Sequence, residues 1–341
     1  MPRTHIFTRC FKTFLNSTII IVFLVSYPSS TLAASIWQDI LSFLGYKQRD
    51  VQGVADSRAN GGAGRGECTN LAYKDTNTDK RLIALIPPIK QSSLLLSPSS
   101  SSSETLRSSL KSISQESSQV TWIWSDTIEE KPSLWFYIPY SYNEQSQLEY
   151  AKLALLYQSK GLVRETPILF KLPKEPGIAE VKLPISLEVN KPYKWFFSII
   201  CDENKPSRNP SVTGWIQRIS RDKSVFPVEP SNALLSRRYY IYARSGLLYD
   251  AFTWLVKAYE PISQPHQNSF VSNANNYQEA IKQDWFDFFK ELDLIDENDR
   301  DDKKDESNKI NEKNKIADEI AKSPILTLEC VQKSTNHKCN K

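Results

Sequence analysis

Apolar and polar residues alternate through the middle of the chain. In PYKWFFSIIC, residues 192–201, Tyr193, Trp195, Phe197, Ile199 and Cys201 occupy every second position, so all five share one face of an extended strand. The run LWFYIPY, residues 134–140, carries four aromatic rings and no charge. It is too apolar to lie in water and too short for a free-standing helix, which predicts a buried strand stopped at Pro139. Rings on both of its faces point to a thick aromatic core. Further alternating runs are Val120, Trp122, Trp124; Ala151, Leu153, Leu155, Tyr157; Thr166, Ile168, Phe170, Leu172; Ala179, Val181, Leu183; and residues 212–219. An earlier apolar run over residues 81–86 stops at Pro87 and Pro88. Strands at this repeat, joined by Pro and Gly turns without helical interludes, predict an antiparallel β-sandwich over residues 71–221, immunoglobulin-like or jelly-roll-like.

The period then changes to that of helices, and the fold class becomes α+β. Ser231 can cap a helix running to Ser245, with Gly246 at its end. Leu248, Ala251, Phe252, Leu255 and Ala258 recur at helical spacing until Pro261, in an apolar stretch interrupted by Asp250. A third helix over residues 277–292 presents Ile281, Trp285, Phe288 and Leu292 on one side. Residues 231–295 therefore form a small helical part that needs the sandwich as a packing surface. Residues 296–341, opening with DENDRDDKKDESNK, are expected to be a charged, largely disordered tail. Upstream, residues 36–44 have the spacing of a short amphipathic helix within a segment, 34–70, that continues as a Gly-rich linker. Residues 90–118 are a Ser-rich insertion.

Charge and cysteine content change the picture at the amino terminus. Residues 1–33 have a basic front (Arg3, Arg9, Lys12), an apolar segment from Ile19 to Val25 and a small-residue cleavage site, the pattern of an export signal. The full chain has 43 Lys and Arg against 39 Asp and Glu; removing the signal takes away three bases and no acid and leaves +1. A near-neutral mature chain without a basic cluster gives no footprint for nucleic acid, and the membrane enters only through the export signal. Cys68, Cys201, Cys330 and Cys339 remain after cleavage, an even number that suggests disulfides in an exported chain. Three connectivities are open; Cys68 with Cys201 and Cys330 with Cys339 is the favoured one, and a small buried thiol at a strand end is the competing account of Cys201.

LWFYIPY, the PGI of residues 176–178 followed by VKLP, PYKWFFSIICD and the GWIQR of residues 214–218 together resemble the domain of unknown function 928 family, exported proteins found mainly in cyanobacteria. The resemblance spans roughly residues 61–295. It implies an exported address, periplasmic, envelope or secreted, and the same two-part layout, and it brings no established activity.

Chemistry is mostly excluded by what is missing. Only His266 and His337 survive signal removal, both in polar or terminal settings, so a Ser or Cys nucleophile lacks a base. No residues are assigned to catalysis, to a metal or to a cofactor. Two carboxylates alone suffice for glycoside hydrolysis, with Asp126, Glu129, Glu130 and Asp202 as candidates. Trp135, Tyr137 and Trp215 are candidates for a sugar-stacking platform, and Arg218, a charge in an apolar strand, either marks a binding surface or pairs with the helical part. The expectation is a non-catalytic interaction module for an envelope protein or glycan; the alternative is a histidine-independent, carboxylate-based glycan-acting enzyme.

Overall fold

The alternating runs do become strands, and the computed structural model describes residues 35–46, 81–90, 121–142, 148–157, 161–162, 167–204, 206, 209–222, 235–263, 274–292, 294 and 306–331. The predicted signal, the Gly-rich linker and residues 91–118 of the Ser-rich insertion lie outside the described residues. In chain order the elements are α1 (Ile36–Tyr46), β1 (Ile83–Ala84), β2 (Ile89–Lys90), β3 (Thr121–Trp122), β4 (Trp124–Thr127), β5 (Ser133–Ile138), β6 (Tyr150–Tyr157), β7 (Gly161–Leu162), β8 (Ile168–Lys171) and β9 (Gly177–Lys182). They continue with β10 (Pro192–Ile199), β11 (Ser211–Arg218), α2 (Leu235–Arg244), α3 (Leu248–Ser263), α4 (Ala274–Lys290), α5 (Glu306–Ala321), β12 (Ile325–Thr327) and β13 (Cys330–Val331). Among the described residues no helix is long and apolar enough to cross a membrane.

A small sheet has the order β1-β5-β9-β12, and a large one the order β13-β8-β6-β10-β11-β4, with β7 against β6. The α+β class holds, but the expected antiparallel immunoglobulin- or jelly-roll-like sandwich is corrected: both sheets are mixed. β4 runs parallel to β11, with Trp124 opposite Trp215, and β12 runs parallel to β9, with Ile325 opposite Ile178. Neither β4 nor β12 follows its partner through a tight turn, so no hairpin fixes its direction.

The strand over LWFYIPY ends before its proline, as expected, and is buried on both faces. On one face the Phe136 ring stacks on Phe197 of β10 at 4.0 Å and meets Trp195 edge-on at 5.6 Å, which joins the two sheets. On the other, Trp135 meets Phe252 of α3 edge-on at 5.6 Å and its indole N–H donates to Thr253 Oγ1 at 3.0 Å. At β5 the small sheet thus lies between the large sheet and α3, while the start of α3 also reaches the large sheet directly. Each fully covered aromatic side chain here contributes roughly 1.5–3 kcal/mol relative to exposure. Behind α3, Phe252, Trp285, Phe288 and Phe289 form a second aromatic cluster, and α1 adds Trp37, edge-on to Phe288 at 4.9 Å.

The tail departs furthest from expectation. Residues 306–331 fold: α5 lies on α4, with the Trp285 indole donating to Ala321 O at 2.8 Å, and β12 and β13 then add an edge strand to each sheet. Gly177 makes the approach of this segment possible. A Cβ there would stand 2.6 Å from Pro324 O, the carbonyl that accepts the Ile178 N–H at 2.8 Å.

Candidate functional site

Helix α2 ends in a glycine. Gly246 has φ 80°, its N–H donates to Ala243 O at 2.9 Å, and Leu247 N–H donates to Tyr242 O at 3.0 Å, the paired bonds of a Schellman stop. The chain reverses at once into α3, whose first turn is seated on β4 by side chains of that strand. Ser125 Oγ donates to Gly246 O at 2.9 Å and accepts the Leu248 N–H at 2.7 Å, acting as a cap supplied from another element. Thr127 Oγ1 donates to Asp250 Oδ1 at 2.6 Å, and Ile128 N–H donates to Asp250 Oδ2 at 2.9 Å. One turn position earlier, Tyr249 accepts the Trp195 indole N–H at 2.7 Å and donates to Trp215 O at 2.9 Å.

Asp250 is only 4% exposed. Burial pushes its carboxyl up to about 7; the hydrogen bonds from Thr127 and Ile128 oppose that rise, and the neighbouring charges of Glu129 and Asp126 add to it. Burial likewise raises Tyr249 and Tyr242 above the usual phenol range. In the sequence Asp250 interrupts an apolar run. A lone acid on the covered side of a helix was the available signal.

The same hairpin carries cations against aromatic rings in two places. The Arg238 guanidinium lies 4.8 Å and the Lys257 ammonium 4.4 Å from the Trp254 ring centroid, and Tyr242 stacks on Trp254 at 6.1 Å. Arg244 lies 5.7 Å from the Tyr240 ring and donates from Nη1 to its hydroxyl at 2.9 Å. Arg237 and Arg244, seven residues apart, fall on one side of α2 and are exposed. Helix α2 contains no acidic residue; the exposed acid on α3 is Glu260, and Asp39 of α1 acts on Arg244.

The expected site residues are placed differently. Trp135 and Tyr137, each 6% exposed, lie under α3 and α5, and Trp215, 4% exposed, lies on the opposite face of the large sheet, stacked on Trp124 at 5.5 Å with Lys194 over it at 5.7 Å. They form no common platform, because β5 is covered from both sides. Arg218 is half-buried at the end of β11; its Nη1 donates to Leu187 O at 3.0 Å and its Nη2 lies 3.9 Å from Glu130. Those partners are in loops of the sheet region, so of the two accounts of Arg218 the pairing with the helical part is not the contact seen. Among the candidate carboxylates, Asp126 stands opposite Gln217 and Gln217 opposite Pro192, the first residue of β10, whereas Asp202 lies beyond that strand's far end. Roughly 30 Å of extended chain separates the two, far more than the ~5–10 Å of a glycosidase pair. Glu130 is exposed and accepts a hydrogen bond from Ser186.

Cys201 and Cys330 are each disulfide-bonded. Cys330 stands opposite Phe170, Phe170 opposite Ala151, and Ala151 opposite Ile199, two residues before Cys201. Three strand spacings of about 4.8 Å exceed the roughly 7 Å limit on Cα separation in a disulfide, so the two do not bridge each other. Cys68 and Cys339, their expected partners, lie outside the described residues.

Comparison with known proteins finds a family match over residues 60–299, which takes in the sheets from β1 to β11, the hairpin α2–α3 and α4, and stops short of α5, β12 and β13. No curated protein and no solved structure matches the chain. The match spans more than half of the sequence, and the chain belongs to the family described as Domain of Unknown Function (DUF928).

Proposed function

We propose that this protein is an exported, non-catalytic interaction module that binds an anionic glycan of the cell envelope through the outer side of the α2–α3 hairpin. The observation that carries this reading is the pairing of cations with rings there: Arg238 and Lys257 on Trp254, and Arg244 on Tyr240. Ring contacts restrict the exposed side chains of Lys257 and Arg244, so that a carboxylate or sulfate group would meet them at reduced entropic cost. The oxidised state of Cys201 and Cys330 supports a compartment outside the reducing cytoplasm.

The test is retention of the full-length mature chain on an immobilised uronate-rich polysaccharide against a neutral glucan, with rising salt. Retention on the acidic polymer alone, falling with salt and lost in the combined variant Arg237→Ala, Arg244→Ala, Lys257→Ala, is the expected result. Equal retention on both polymers, or none on either, refutes the reading. Release of new reducing ends in the same incubation would favour the carboxylate-based enzyme instead.

A further inference from the structure

We propose that Asp250 is a proton-operated catch that fixes how firmly the α2–α3 hairpin is seated on β4. Its effect on glycan retention rests on the function proposed above; its effect on the hairpin stands apart from it.

The catch is built from three contacts at one junction. Ser125 holds Gly246 and Leu248, Thr127 holds one carboxylate oxygen of Asp250, and the Ile128 amide holds the other. Among the described residues, the charges acting on Asp250 are Asp126 on β4 and Glu129 just beyond it, both of its own sign. The titratable groups nearby are Tyr242 from α2 and Tyr249 from α3, each kept neutral by burial, and Arg221 acts on Tyr242 from beyond β11 in an exposed position. The amino terminus of α3 favours a negative charge, but by only about 0.3–1 kcal/mol in ordinary settings, less than the burial of an ion without a counter-charge costs. Protonated, Asp250 keeps both contacts: its O–H can donate to Thr127 Oγ1 while the Ile128 N–H still reaches the second oxygen. Ionised, it is a buried charge beside two acids, and opening the junction to water relieves it.

The sign follows. The folded-state carboxyl titrates near 7 against an ordinary 3.8, so its contribution to seating is complete below the lower value and is lost as pH rises through the higher one. Between these limits the opening equilibrium grows by up to about tenfold per pH unit and then levels off.

Amide exchange of Leu248 and Ile128 in the full-length chain, corrected for intrinsic rates, reads this directly. Protection is expected to fall from about pH 4.5 to 7 at a slope approaching tenfold per unit. In Asp250→Asn, which has the shape of the protonated acid, it should stay level. Parallel slopes in the two proteins, or level protection in the wild type, overturn the proposal. If Asp250→Asn does not fold, a carbon-13 carboxyl titration of the wild type decides: a midpoint near neutrality supports the catch, and one in the ordinary carboxylate range refutes it. Retention on the uronate polymer should be weaker at about pH 7.5 than at about pH 5.5 in the wild type only. No retention at any pH, with the exchange result intact, removes the proposed function and leaves the catch; equal retention at both pH values removes the regulatory half.

Discussion

The large sheet holds the small sheet and the helical hairpin in different ways. The small sheet presents rings to rings, Phe136 against Phe197 and Trp195, a contact that is apolar, broad and indifferent to pH. The helical hairpin, beyond its own aromatic contacts, is anchored at its turn by a few directed hydrogen bonds around one buried acid. Dispersion and burial are spread over many atoms, so the first attachment weakens gradually under mutation. The second depends on single donors and acceptors, and losing one leaves its partner stranded in a dry place. The core therefore supplies stability, while the turn supplies a position that a small chemical change can alter.

Single substitutions separate the two attachments. Phe136→Ala removes the ring that joins the sheets and should cost about 3–5 kcal/mol in denaturant unfolding, independent of pH. Gly177→Ala drives a methyl into Pro324 O and Leu326 and should cost about 1–3 kcal/mol, with loss of amide protection at Ile178 and Leu328 before the core opens. Ser125→Ala strands the Leu248 N–H and should cost about 1 kcal/mol, with the change in protection confined to the start of α3. Arg237→Ala, on the outer side of the hairpin, should change unfolding by no more than about 0.5 kcal/mol while weakening retention on an acidic polymer. If the cost of Phe136→Ala itself varies with pH as Asp250 titrates, or Ser125→Ala melts the core as a whole, the two attachments are not distinct.

Much of this arrangement was legible beforehand because periodicity reports which side of an element is covered. The alternating residues Tyr193, Trp195, Phe197 and Ile199 are the buried side of β10, and the unbroken apolar run of residues 134–138 announced a strand covered twice. Periodicity does not report neighbours. Nothing local to Trp124 or Ile325 says that each strand pairs in parallel with a segment far away in the chain. The same limit hid the site: Asp250 was visible as an acid in an apolar run, but its partners Thr127 and Ile128 lie more than 120 residues upstream. Trp135, Tyr137 and Trp215 fit two accounts, platform and core, because a ring suited to stacking on a sugar is equally suited to a core, and only the covering layer distinguishes the two. The tail was misjudged because charge dominates residues 296–315, while the apolar positions that dock it, Ala317, Ile320, Ala321 and Leu328, are few and small.

The segment from α5 to β13 has one more consequence. The family match ends at residue 299, yet the outermost neighbour of β9 and that of β8 are both delivered from further along the chain. A protein shortened to the shared boundary would present two raw sheet margins with unspent hydrogen-bonding groups, an invitation to join with other molecules edge to edge. The chain needed to complete both sheets therefore runs past the end of the family match.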